Sequence, residues 1–306
     1  MNRQYVKLLI CGFIVLSCIS CNSKKSEKNV SSSLDSDSII STETDTAIIV
    51  TLDDTLTFSV YQKKIEAHLN NDTKMPYCDF NINMVYPSGF SNKEKLKKLQ
   101  GIFIENVLGG TYAQLTPVQA GDLYMKNYIN DYKEEMQEYI DGLKNKGEKL
   151  KLEDENWMNY SLYLSTKSLF NKDSIWCYSS DLYTYTGGAH GMSGTTFQVI
   201  DMKNIHIITL KDVFAAKDST ALTSLLKKQL AKDEKVTTVQ ELKNKGYWLE
   251  NLSPTENFYV NTVGLTWLYN PYEIAPYAMG TTQITLSYNQ IMPYILPNSP
   301  IRRIFQ

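Results

Sequence analysis

Two periods of hydrophobic and polar residues alternate along the chain after residue 48, and each change of period marks an element. Cys78, Phe80, Ile82 and Met84 alternate with Asp79, Asn81 and Asn83, the two-residue period of a strand with one buried face, ending at Pro87. Upstream, residues 48–52 and 56–61 flank Asp53-Asp54-Thr55 and predict a hairpin. A helical stripe of Leu96, Leu99, Phe103 and Val107 predicts a helix over residues 92–108, stopped by Gly109-Gly110. Thr116-Pro117 is a helix start, after which Leu123, Tyr124, Tyr128, Tyr132, Met136, Tyr139 and Leu143 recur at helical spacing. That tyrosine-rich stripe reads as a helix face packed on a sheet.

Three extended segments follow, at 157–169, 174–186 and 195–202, joined by Asn171-Lys172-Asp173 and by the glycine-rich run Gly187-Gly188-Ala189-His190-Gly191. They predict an antiparallel meander. A helix is expected over 219–232, a short one after Thr238 and Glu241 at capping-box spacing, a hairpin of 258–260 with 265–269, and a last strand at 283–287. Strands and helices come in runs rather than in strict alternation. The expected class is α+β, with antiparallel or mixed sheets, packed helices and two lobes, residues 48–165 and 166–306.

The first fifty residues follow a different logic. Arg3 and Lys7 precede the apolar run 8–16, and small residues and cysteines follow at Ser17, Cys18, Ser20 and Cys21. The run is shorter than the roughly 20 residues a membrane-spanning helix needs, so residues 1–20 read as a lipoprotein signal peptide. Cys21, which leads into polar Asn22-Ser23-Lys24-Lys25, is preferred to Cys18 as the acylated residue. Residues 21–47 are rich in Ser, Lys, Asp, Glu and Thr and are expected to form a disordered tether, very roughly 30 Å in reach. The expected location is the bacterial cell envelope, with a lipid holding the protein to a membrane.

Loss of residues 1–20 removes two basic residues and no acid, so 31 basic residues become 29 against 33 acidic ones, a charge of −4. No basic excess remains for nucleic acid. Of the five cysteines only Cys78 and Cys177 fall in the expected folded part. Both read as small buried residues, with a disulfide permitted by an oxidising compartment.

Catalytic motifs are incomplete. The three histidines, His68, His190 and His206, have no zinc-helix spacing, so neither a metal nor another cofactor is expected. Ser193 lies in Gly191-Met192-Ser193-Gly194-Thr195, which lacks the last glycine of a nucleophile elbow and precedes a strand. Gly187 and Gly188 lack the lysine that closes a phosphate loop, and they read as turn glycines. Pro271 and Pro276 stiffen Tyr272-Glu273-Ile274-Ala275-Pro276-Tyr277. Two readings of that segment stand side by side. In one, Tyr272 and Ile274 pack the core while Glu273 satisfies backbone amines of the Gly187 turn; in the other, Gly187, Gly188, His190, Tyr272, Glu273 and Tyr277 form a binding surface.

The segments Tyr185-Thr186-Gly187-Gly188-Ala189-His190-Gly191, Leu210-Lys211-Asp212-Val213-Phe214 and Tyr272-Glu273-Ile274-Ala275-Pro276-Tyr277 closely resemble domain of unknown function 3298, the extracellular domain of RsiV-type anti-sigma factors. The region from Cys78 to Leu143 is similar to the domain that precedes it there and in PdaC-type peptidoglycan deacetylases. The resemblance implies a sensor-like ectodomain without the sigma-binding or deacetylase parts. It further implies binding of a secreted protein such as lysozyme, or of a wall glycan such as peptidoglycan, rather than catalysis. The alternatives are an envelope hydrolase using His190 with Glu273, and a structural or assembly factor.

Overall fold

The computed structural model describes residues 56–151 and 156–305; the acylation candidate Cys21, the tether and the first half of the expected N-terminal hairpin lie outside them. The chain is α+β, built on a six-stranded mixed sheet and a three-stranded antiparallel one. Strand β1 (Thr57–His68) pairs with β2 (Tyr77–Gly89), in which Cys78, Phe80, Ile82 and Met84 are all buried. The strand runs past the expected end at Pro87. Its ladder to the next strand stops at Asn83, so the missing proline N–H costs nothing there.

Helix α1 (Lys93–Val107) is capped by Asn92, which accepts the Lys95 N–H, and α2 (Pro117–Asn145) by a Thr116/Gln119 capping box. Both lie against one face of the sheet. The long α2 buries Ala120, Tyr128, Tyr132, Met136 and Ile140, while Leu123, expected on the same stripe, is exposed.

The chain returns as β3 (Tyr160–Lys172), parallel to β2, and continues as β4 (Ile175–Tyr185), β5 (Met192–Asp201) and the short β6 (His206–Ile207), the expected meander. Asp173 and Ser174, at φ 56° and 58°, make the two-residue turn with both centres left-handed that matches strand twist. The expected lobe boundary at 165/166 falls within β3, and the sheet continues through it.

Two cores lie on opposite faces of this sheet. Trp176 and Tyr178 point toward α1 and α2, while Ile175 and Cys177 face the second core. A bulge between Ser168 and Phe170 shifts the side-chain alternation of β3, so that Leu162 and Leu164 serve the first core and Phe170 the second. Past α3 (Leu210–Val213), the second core is closed by α4 (Ser219–Asp233), α5 (Glu241–Asn244) and the sheet of β7 (Phe258–Val260), β8 (Gly264–Tyr269) and β9 (Thr282–Ser287). β8 is buried at all six positions, hence on both faces. Cys78 and Cys177 are free and belong to different cores, so the sheet itself separates them. Burial pushes both thiols up to about 12.

The second core covers only the β4–β5 side of its face. Over β1–β3 that face stays open, with Gln62, Lys64, Glu66, Asn83, Tyr163 and Lys167 all exposed. Among the described residues no helix is long and apolar enough to cross a membrane.

Candidate functional site

The β4–β5 turn and the segment after β8 meet at one end of the sheet. β4 and β5 last pair at Thr184 and Met192. Between them Gly187 and Gly188 adopt φ of 85° and 97°, a region that side chains other than glycine rarely enter. A Cβ at Gly187 would stand 3.3 Å from Trp157, so the turn rests on that indole. The Tyr185 hydroxyl donates to Gly188 O at 3.0 Å. His190 Nδ1 donates to Gly191 O at 2.9 Å; because a carbonyl only accepts, Nδ1 carries the proton and a neutral ring presents Nε2 as an acceptor.

The facing segment is fixed by asparagines. The Asn270 side-chain amide accepts the Thr195 N–H at 2.8 Å and donates to Thr195 O at 3.1 Å, as a neighbouring strand would. Asn257 does the same one step along, accepting Phe197 N–H at 2.7 Å and donating to Thr195 O at 2.9 Å. These two side chains occupy the edge of β5 that β6 pairs only at Ile200 and Asp201.

Beyond Asn270 the backbone turns back on itself. The Glu273 carboxylate accepts the Asn270 N–H at 2.9 Å, the Glu273 N–H donates to Asn270 O at 3.1 Å, and the Tyr272 N–H donates to Ala275 O at 3.0 Å. This turn holds Tyr272 at φ 71°, a conformation that costs a non-glycine residue about 1–3 kcal/mol. Ile274 and Ala275 are buried and anchor the segment. Tyr272 is 48% exposed, so it does not pack the core as one reading of the sequence had it. Nor does Glu273 serve the Gly187 turn, since its carboxylate caps its own. Although the residue as a whole is exposed, that carboxylate is tucked against the turn, and the desolvation pushes it above its ordinary value against the pull of the Asn270 N–H.

The rings then meet. Tyr277 donates its hydroxyl to Gly191 O at 3.0 Å and stacks on His190 with centroids 4.4 Å apart, and Tyr272 lies 5.6 Å from Tyr277. Gly191 was read as part of the turn and of the incomplete Ser193 motif, yet it is the junction. A Cβ there would sit 2.4 Å from the Tyr183 ring, so only glycine lets Tyr183 and Tyr277 approach the same peptide. The sequence signal for Asn270 was its place before Pro271, a turn dipeptide that reveals nothing about its hold on Thr195.

The arrangement brings together the aromatic faces of His190, Tyr272 and Tyr277. His190 and Glu273 are held by different backbone groups, and among the described residues no hydrogen bond or ion pair joins them as acid and base. Among the described residues no cluster of His, Cys, Asp or Glu could hold a metal ion.

A scan of family models matches residues 211–289 to the protein of unknown function DUF3298 and residues 58–193 to deacetylase PdaC. A solved member of the DUF3298 family from Bacteroides fragilis is similar at 31% identity and a TM-score of 0.76, over 81% of this chain and 97% of that one. A DUF3298 family protein from Pseudomonas aeruginosa shares the fold at 17% identity and a TM-score of 0.54, over 80% and 97%. A search of curated proteins finds no match. The PdaC match covers most of the six-stranded sheet with α1 and α2, and the DUF3298 match covers α4, α5 and the three-stranded sheet that follow it. The chain belongs to the DUF3298 family.

Proposed function

We propose that the chain is a non-catalytic binding module of the bacterial cell envelope, tethered by a lipid on Cys21, and that its ledge of Tyr272, Tyr277 and His190 contacts a secreted wall-acting protein of the lysozyme type. The observation that carries this reading is Tyr272, held in a strained left-handed conformation and 48% exposed beside the Tyr277 ring, which itself stacks on His190. Strain persists where surrounding structure enforces it, and here it is not repaid by core packing. Rigid tyrosines are low-entropy anchors for a protein partner. The charge of −4 expected after processing adds weak steering of a cationic partner.

Calorimetry of the purified chain against lysozyme tests the reading. Saturable binding that falls about thirtyfold in Tyr277→Ala is expected, the loss of roughly 2 kcal/mol typical of a buried anchor. No heat or complex at about 100 μM sinks the lysozyme assignment. Peptidoglycan fragments that bind instead, and lose affinity in the same variant, would keep the ledge and change its ligand.

A further inference from the structure

The open face of the six-stranded sheet carries side chains that its fold does not use. Along β2 the three consecutive outward positions are Asp79, Asn81 and Asn83, residue types that strands disfavour. They sit in the second strand of six, paired on both sides. A merely solvated face is served better by Thr, Gln or Lys, and breaks of a local rule concentrate at functional positions. Across the sheet, Asn81 lies opposite Lys64 and Tyr163, and Asn83 opposite Gln62 and Ser165. The side-chain amides of Gln62, Asn81 and Asn83 make no hydrogen bond within the described chain, which leaves each with two donors and an acceptor toward solvent.

Beside these amides stands an aromatic pair. Tyr163, 40% exposed, stacks on Tyr183 with centroids 5.5 Å apart and an interplanar angle of 16°. Asp79 fixes the outer ring, for its Oδ2 accepts the Tyr163 hydroxyl at 2.6 Å, while its Oδ1 is buried with no donor. The charges nearly cancel. Lys167 lies 3.5 Å from Asp181, Glu66 accepts from His68, and Lys64 stands among the amides.

We infer that this face, made by Gln62, Asn81, Asn83, Asp79 and the Tyr163–Tyr183 pair, is a binding site for a neutral oligosaccharide. Free amides recognise hydroxyls, which donate and accept as amides do. An exposed ring face, negative at its centre, receives the polarised C–H face of a pyranose. The balanced charge matches an uncharged polyol and gives a polyanion no advantage. The face is continuous with the ledge through Tyr183 and Gly191 but does not depend on what the ledge binds.

The purified full chain titrated with cellohexaose, chitohexaose and a heparin hexasaccharide decides the matter, followed by NMR shifts or calorimetry. At least one neutral probe should bind saturably. Tyr163→Ala should weaken it about tenfold or more, and the exposed Asn83→Ala supplies a second measurement should Tyr163→Ala unfold. Tyr163→Phe, which keeps the ring and loses only its tie to Asp79, should retain most of the affinity. Lysozyme binding should be unchanged in these variants, so the two proposals fail separately. The inference is overturned if neither neutral probe binds at about 5 mM, if heparin binds more tightly than both, or if neutral binding is lost in Tyr272→Ala and kept in Tyr163→Ala.

Discussion

Tyr128 and Tyr132 on α2, and Tyr178 beneath it, bury hydroxyls that have no hydrogen-bond partner among the described residues, whereas Tyr163, Tyr185 and Tyr277, at the open face and the ledge, each donate to an acceptor at 2.6–3.0 Å. The first three depart from the usual expectation that burial brings hydrogen bonds, which buried Tyr61, Tyr247, Tyr269 and Tyr288 follow. Those three rings work as hydrophobes: Tyr178 contacts Phe103 and Trp176 with centroids 5.1 and 4.6 Å away, and burial alone pushes its hydroxyl above the ordinary value. In the exposed set the hydroxyl fixes an orientation that packing does not enforce. A bonded phenol at the surface is thus a mark of preorganisation, and an unbonded phenol inside is a mark of packing.

The largest expected effect comes from removing a ring on each side. Tyr178→Ala should cost about 3–5 kcal/mol of unfolding free energy, the range for large-to-small changes of aromatic residues in a core, and Tyr163→Ala should stay within about 1 kcal/mol. Urea unfolding of both variants measures the difference. Equal costs would break the comparison, because they would mean that the open-face ring also supports the fold.

The helices and strands were legible because local chemistry and burial agree. Asn92 and Thr116 announce their helices, and the alternation from Cys78 to Met84 puts four residues into the core. The stripe of α2 was less so. A 29-residue helix rotates away from any fixed heptad, which carries Leu123 to the solvent while Tyr128 and Tyr132 stay inside. At the candidate site the sequence brought forward two segments that the structure places side by side, with His190 stacked on Tyr277. What it could not reveal depends on distant neighbours: the Asn270 hold on Thr195, the Tyr183 ring against Gly191, and the reversal at Tyr272 that exposes a ring expected to pack. Asp79, Asn81 and Asn83 were read only as the polar half of an alternation; their poor fit to a strand was the unread signal.

Asp201 extends the comparison to a charge, since it is buried like Tyr178 yet bonded like Tyr277. It is 1% exposed, accepts from Arg303 at 2.6 Å, from the Lys203 N–H and from Asn204, and so ties the C-terminal 3-10 turn to the end of β5. Burial opposes its charge, but Arg303 and the other donors outweigh it and hold the carboxyl below the usual range. Arg303→Met should therefore cost about 3 kcal/mol, because it leaves a buried carboxylate without its cation. The stabilisation from the lowered value is present above the ordinary carboxylate range and lost as pH falls through the folded value. Urea midpoints of wild type should drop below about pH 4, and those of Asp201→Asn should drop less over the same interval. Parallel acid curves for the two proteins would remove Asp201 from the account.

The smallest effect is the most discriminating. Tyr178→Phe and Tyr132→Phe each delete only an oxygen without a hydrogen-bond partner among the described residues, from side chains of residues that are 1% and 2% exposed. A buried hydroxyl without a partner loses its hydration on folding and recovers nothing, so its removal should leave stability unchanged or raise it by up to about 1 kcal/mol. Tyr277→Phe deletes an oxygen that donates to Gly191 O, and it should lower stability slightly, by about 0.5–1.5 kcal/mol, while loosening the ring against His190. Opposite signs for the same chemical change, read from urea midpoints at constant m-value, would establish that partners and not burial decide what a tyrosine does in this fold. A loss above about 1 kcal/mol in both core variants would instead mean that ordered water satisfies those hydroxyls, and the distinction between packing rings and oriented rings would have to be redrawn around that water.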